Sequence, residues 1–414
     1  MEFLDISKVK PGMRLARAVF SHEGKLLLPP GEVLQDAHLA LLKDWKIQAV
    51  TIEAQSSEPY TEQAQQGPED LMEAIRQSVM ERFIYVDIAE PHIQTLFDLA
   101  VERQGRLFLS YPGKIALNKA MPPAFQTPRP PKSSLKLLIE SSHRIGTLPL
   151  VFHRLVDVLN NDKSTIEEIS QIIATDTALT ARLLRLVNSP FYGLAYTIDT
   201  ISRAVVMVGT RQLVILAMGA TLLTTFRGLP LSLINMQSFW SHSLSTGAAS
   251  RILARHAGLP QAESFFVAGL LHDIAKLLIY TQLPKHALYM MTEAKRQKQL
   301  VHSLEEETLG FTHEKLGEAL LDLWRCPHDL VERVAKHHSS LSEASPVEEL
   351  ILPTANLLSQ SLGYGSSGEI FLPPLPAKVW ERLDMSLESL HHICRQLDES
   401  VRSLRALFTP PRQS

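Results

Sequence analysis

The chain has 414 residues, with 41 Lys and Arg against 44 Asp and Glu, a formal net charge of −3 and 45% hydrophobic residues. That length predicts two or three domains with room for a large core, and the near-neutral balance excludes the global basic field of a nucleic-acid binder. The two cysteines, Cys326 and Cys394, are far apart and make neither a disulfide framework nor a metal-type pair, which predicts a reduced, cytoplasmic setting.

The N-terminus, MEFLDISKVKPG, has no apolar signal core. Residues 1–55 alternate short apolar runs (MRLARAVF, KLLL, AVTIE) with the turn signals Pro11-Gly12, Glu23-Gly24 and Pro29-Pro30-Gly31. They predict a small β-rich module with one short helix near 37–45. Residues 56–67 (SSEPYTEQAQQG) read as a polar linker, and the segment 56–110 becomes helical from about Pro68 with a break before Pro91. The stretch 111–134 contains MPPAFQTPRPP and reads as an extended Pro-rich linker. A large helical domain then spans 135–370. The apolar run LVILAMGATLLTTF (213–226) is too short to cross a bilayer and reads as a core helix, so no membrane partner is expected. Asn188-Ser189-Pro190 is a helix stop after ALTARLLRLV, with Tyr192 an exposed aromatic beside it. After FLPPLP, residues 371–408 end in a helix whose stripe runs Trp380, Leu383, Leu387, Leu390, Ile393, Leu397, Val401 and Leu404. That stripe would pack on the main domain or form a homodimer seam.

The chemistry concentrates between residues 242 and 338. The run FFVAGLLHDIAKLLIY (265–280) is almost wholly apolar and reads as one buried helix with His272, Asp273 and Lys276 in its middle. Burying such groups is costly unless they are paired or bound to metal. An Asp273–Lys276 ion pair beside a hydrogen-bonded His272 would satisfy that run alone. Nine of the 16 histidines, however, lie between His242 and His338. His242, His313, His337 and His338 occupy core-facing positions of three further helical patterns. A shared site explains this better than separate core histidines, and imidazole with carboxylate suits iron, manganese or zinc.

The order His242, His272-Asp273, His313, His337-His338 resembles the ligand order of HD-type metal-dependent phosphohydrolases, including their HD-GYP branch. It is more similar still to the HDOD family, the HD-related output domain of bacterial signalling proteins. The residues that carry the resemblance are FWSHSLSTGAASRILARHAG (239–258), VAGLLHDIAKLLI (267–279), EETLGFTHEKLGEALLDLW (306–324) and VAKHHS (334–339). An upstream half, 148–193 followed by 201–220, stands in the same order. KPGMRLARAVFSHEGKLLLPPGEVL near the N-terminus resembles a module that precedes such domains.

This resemblance implies a mainly α, HD-like multi-helix bundle. It also implies a divalent metal held by His242, His272, Asp273, His313, His337 and His338, with Asn356 in the position of a downstream Asp. Asp273 and Lys276 are the candidate catalytic residues if the site turns over substrate. The departures matter here. Asn356 is a weaker, neutral ligand; Ser339, Ser340 and Leu341 follow the paired histidines with no GYP tripeptide; and Ala275 replaces the glycine of HDIGK. The expected function is therefore regulation through contacts with a signalling protein, with a degenerate metal site. The alternative is a phosphohydrolase acting on a nucleotide or cyclic dinucleotide.

Overall fold

The computed structural model describes residues 2–6, 9–16, 19–20, 26–28, 32, 34, 38–39, 42 and 49–52 of the first unit. Beyond it the described residues are 68–110, 129–140 and 148–408, apart from 162, 227–232, 340, 343 and 377. The linkers expected at 56–67 and over most of 121–131, and most of the short helix expected near 37–45, fall outside these residues.

The chain divides into a unit at Met1–Pro68 and a larger one at Glu69–Ser414. In the first, β1 (Glu2–Asp5) pairs antiparallel with β4 (Ala49–Ile52), Glu2 opposite Ile52, and β2 (Val19–Phe20) pairs antiparallel with β3 (Leu26–Leu28). Val9, Leu15, Val19, Leu28, Leu34, Leu42, Val50 and Ile52 bury a small core of their own. Alternating apolar residues on these short strands account for that one-sided burial.

Among the described residues the second unit holds helices and no strand. Helices α1 (Pro68–Met80) and α2 (Pro91–Ser110) come first, then α3 (Leu135–Glu140), α4 (Leu150–Leu159), α5 (Ile166–Ala174), α6 (Thr177–Val187), α7 (Ile201–Val208) and α8 (Thr210–Phe226). Helices α9 (Met236–His256), α10 (Ala262–Leu271), α11 (Ile274–Gln282), α12 (Pro284–Gln297), α13 (Val301–Leu309), α14 (His313–Leu323), α15 (His328–Ala335) and α16 (Val347–Ser361) follow. A single turn, α17 (Val379–Arg382), and α18 (Leu387–Phe408) complete it. The fold is mainly α, as the sequence periodicity implies. The boundary drawn at residue 135 is not a break in the core: Ile75, Val79, Phe83, Leu96 and Phe97 join the same apolar cluster as the later helices. Among the described residues no single helix is long and apolar enough to cross a membrane; α8 is buried on nearly all sides.

Three local expectations are corrected. The buried run 265–280 is two helices, not one, and the break falls on His272 and Asp273. The last helix is also interrupted: Asp384 takes a left-handed φ of 49°, and Ser386 restarts α18 by accepting from Ser389 N at 3.0 Å. The stripe offered as a dimer seam is largely spent inside the chain, since Leu390, Ile393, Leu397, Val401 and Leu404 are buried and α18 packs on α9, α2 and α6. Finally, Tyr192 is buried, not exposed. Arg251 lies 4.4 Å over both the Phe191 and Tyr192 rings and donates to Phe191 O at 2.9 Å. The Asn188 side chain clamps Ile198 N and O, at 2.6 and 2.7 Å.

Helix α9 is the centre of the unit, packed by α10, α16 and α18. Its sequence SHSLSTGAAS supplies small side chains, so neighbouring backbones approach closely. A Cβ on Gly269 would lie 2.7 Å from Gly247 Cα, and one on Gly247 only 2.6 Å from Phe266 O. This contact fixes α10 against α9, and with it the spacing of His272 and His242. Gly269→Ala should lower unfolding stability by about 1–3 kcal/mol, the usual cost of overpacking, read as a lower urea midpoint. Gly105→Ala, where only the Met72 side chain lies nearby at ordinary contact, should instead raise it by about 0.5–1 kcal/mol, because alanine is the better helix former.

Candidate metal centre

Four elements deliver the site. His242 projects from α9, His272 and Asp273 form the α10–α11 junction, His313 is the first residue of α14, and His337 and His338 lie in the turn after α15. The paired histidines are thus just past the end of their helix, not on its stripe. His242, His272 and His313 are fully buried, Asp273 is 1% exposed and His337 2%.

Backbone acceptors set the ring orientations. His272 Nδ1 lies 2.8 Å from Gly269 O and His337 Nδ1 2.7 Å from Val334 O. A carbonyl only accepts, so Nδ1 carries a proton and each ring turns Nε2 inward. His313 Nδ1 meets Glu305 Oε2 at 2.6 Å, and the same oxygen accepts from His313 N at 2.7 Å. A carboxylate behind a histidine is the usual outer support of a metal-ligating ring. His242 Nδ1 faces the Ser359 hydroxyl at 3.3 Å.

The donor atoms fall into two groups, His242 with His272 and Asp273, and His313 with His337 and His338, each with its ligand atoms within 4.8 Å of one another. In the first, His272 Nε2 is 3.3 Å from His242 Nε2 and 3.1 Å from Asp273 Oδ2, and His242 Nε2 is 3.7 Å from that oxygen. In the second, His313 Nε2 is 3.1 Å from His337 Nε2 and 3.2 Å from Asp273 Oδ1, with His337 Nε2 at 3.7 Å from Oδ1. Asp273 therefore presents one oxygen to each group. Ligands about 2.0–2.1 Å from a tetrahedral ion are about 3.3 Å apart, so these edges fit a cation in either group. Asp273 Oδ1 supplies a second sign: Lys276 Nζ is 2.9 Å away, yet this buried oxygen has no well-formed hydrogen bond.

Electrostatics favour ligation by His242 and His337 and require His313 to give up a proton to a bound cation. Burial and the neighbouring His272 push His242 down to about 3 despite Asp273, and burial takes His337 to about 3. Both are neutral and ready to ligate at pH 7. Burial opposes a charge on His313, but Glu305 and Asp273 outweigh it and hold that ring at about 9. Burial likewise opposes ionisation of Asp273, and His272 and Lys276 overcome it, leaving the carboxyl well below its usual range. Lys276 is raised by Asp273, Glu305 and Glu369 against its own desolvation.

The structure thus brings His242, His272, Asp273, His313, His337 and His338 together, with Lys276 against Asp273. The Asn356 amide oxygen accepts from Gln360 Nε2 at 3.1 Å on its own helix, and among the described residues no hydrogen bond joins it to the cluster. Glu305 is a participant that sequence reasoning misses, as are Ser359 behind His242 and Glu369 near Lys276. The signal for Glu305 is present, because it continues the buried series Val301, Leu304, Thr308, Leu309 of α13, a carboxylate at a core-facing position. The enclosure has one opening among the described cavities that reaches a donor, a space of ≈ 420 Å³ between α15 and α16 that reaches His337 and is rimmed by Lys336, Glu332 and Glu349.

Comparison with known proteins assigns this helical array. Residues 145–340 match the HDOD domain family. They are an HDOD domain. A region of 212 residues is 27% identical to an uncharacterized protein of Treponema pallidum (strain Nichols), covering 49% of this chain and 40% of that protein, so the likeness spans well under half of the relative. An HDOD domain protein from Geobacter sulfurreducens is similar at 25% identity, over 66% of this chain and 96% of that one, with a TM-score of 0.49. A candidate phosphohydrolase from Shewanella amazonensis SB2B shares the fold at 22% identity, over 67% and 99% of the two chains, with a TM-score of 0.53. The HDOD match covers His242, His272, Asp273, His313, His337 and His338, while Asn356 and α18 lie outside it.

For the metal-free protein the signs of these shifts predict a stability maximum. His242 and His337 bind protons in the unfolded state from about pH 6.5 downward but in the folded state only near 3. Stability should therefore fall as pH drops between those values. His313 has the opposite sign: its contribution is complete below about pH 6.5 and is lost as pH rises through about 9. Urea midpoints of chelator-treated protein should peak between these limbs, and Glu305→Gln should weaken the alkaline one.

Proposed function

We propose that this chain is an HDOD-type regulatory protein that conveys a signal through protein contacts, and that His242, His272, Asp273, His313, His337 and His338 hold iron, manganese or zinc as a cross-link of the core. The observation that carries this reading is enclosure. Five of the six donor residues are at most 2% exposed, so a bound cation would tie α9, the α10–α11 junction, α14 and the turn after α15 together without offering a face to a large substrate. Such a cation would supply positive charge to a site where the neutral His242 and His337 rings and the ionised Asp273 already converge. Asn356, held by Gln360, adds no ligand charge. For partner contact the exposed apolar residues Tyr196, Val206 and Met207 are 82%, 72% and 53% accessible and are of the kind that interfaces cover.

One observation favours hydrolysis instead. Asp273 spans two donor groups, as the shared carboxylate of a two-cation phosphohydrolase does, and the candidate phosphohydrolase from Shewanella amazonensis has the same fold.

The two readings separate in one set of measurements. Purified protein should contain divalent metal, lose thermal stability on chelation because ligand binding stabilises the folded state, and lose both properties on Asp273→Asn. Loaded with iron or manganese, it should hydrolyse neither cyclic di-GMP nor mononucleotides. Turnover near about 1 per second or above, absent in Asp273→Ala, would replace the regulatory reading with the hydrolase.

A further inference from the structure

Helices α2 and α18 lie side by side and leave between them a cavity of ≈ 680 Å³, within the range of about 300–1,000 Å³ that holds small ligands. The lining follows helical spacing on both sides: Leu99, Arg103, Arg106 and Leu107 on α2, and Cys394, Arg395, Asp398 and Arg402 on α18. Four arginines thus face two carboxylates, Glu102 and Asp398, in a chain whose overall charge is −3. Two of the arginines are already engaged. Arg103 contacts Asp398 and stacks 4.0 Å over the Tyr364 ring, and Arg106 contacts Glu102. Arg395 and Arg402 are exposed and, among the described residues, have no carboxylate partner. The base is apolar, with Leu362 and Cys394 buried.

We propose that this groove binds a nucleoside phosphate, its phosphate on Arg395 and Arg402 and its base over the apolar floor. Guanidinium groups suit phosphate because they donate in a planar fork, and Leu99, Leu107 and Leu362 supply surface for a flat ring. The groove also has a path to the metal centre, a link that rests on the function proposed above. Helix α18 packs on α9, which carries His242, and α2 packs on α16, which carries Ser359 at the back of that same ring. A ligand joining α2 to α18 thereby acts on both elements that set the His242 position.

The test is calorimetric titration of the full chain in EDTA with GMP and, separately, with inorganic phosphate. Chelation removes the metal centre as a competing phosphate site, so a failure here leaves the metal reading intact. GMP should bind more tightly than phosphate. The double variant Arg395→Ser/Arg402→Ser should weaken GMP by at least about tenfold, since two charge-assisted hydrogen-bonding groups are lost, with unchanged melting temperature and metal content. No heat from GMP at millimolar concentration, equal affinity for phosphate, or binding that survives the arginine pair would each overturn the groove. So would capture of a poly-glutamate peptide without GMP binding, which would make the groove a protein-docking face. The link to the centre is read as a GMP-dependent change in zinc affinity against a competing chelator, absent in the arginine pair; an unchanged affinity refutes the link.

Discussion

The helical unit is organised around one buried carboxylate. An unpaired charge in such an interior is costly by several kcal/mol, and Asp273 is met from several directions at once: by Lys276 one turn along α11, by His272 beside it, and by His242, His313 and His337 from three other elements. Each of those elements must be in register for the charge to be satisfied, so the carboxylate selects one arrangement of helices. The break between α10 and α11 serves the same end. A continuous helix of about 3.6 residues per turn would place His272 and Asp273 on faces about 100° apart; the junction lets both address one point.

The surrounding layer is dense in ionisable groups: Asp273 and Glu369 are held below the usual carboxylate range, Lys276 and His313 are raised, and His242 and His337 are neutral. Glu369 is further held by Val301 N at 2.8 Å and Ile370 N at 3.0 Å. Asp273 meets Lys276 and His313 at one oxygen and His272 at the other, at the place where the two donor groups converge.

The helical class and the donor histidines are legible in the sequence because they rest on periodicity and residue type. Four histidines on apolar stripes and an ionisable pair inside FFVAGLLHDIAKLLIY are enough to announce a shared buried site. What periodicity hides is interruption. Residues on both sides of 272–273 are buried on every face, so the hydrophobic pattern runs through the break unchanged. Tyr192 escapes local reading for a related reason: its burial depends on Arg251, some 60 residues away in the chain, and the surrounding sequence carries no record of that partner. Asn356 sits on the helix that packs against the site, but whether its amide turns toward the histidines or toward Gln360 is decided by a neighbour four residues on.

The centre has a hard side and a soft side. Between α9 and α10 the Gly247–Gly269 contact leaves no space for even a methyl group, and close-packed interfaces of this kind shift between discrete arrangements or not at all. Between α15 and α16 the junction is made by Lys336, which reaches Glu332 at 2.7 Å and Glu349 at 2.9 Å across the rim of the cavity that touches His337. These ion pairs are solvent-exposed, and water screens such pairs until they contribute little. The α15–α16 junction beside His337 is therefore more solvated than the glycine seam. His242 and His272 stay fixed by the glycine seam. The first donor group thus stands behind a packed backbone seam and the second beside a cavity that solvent reaches.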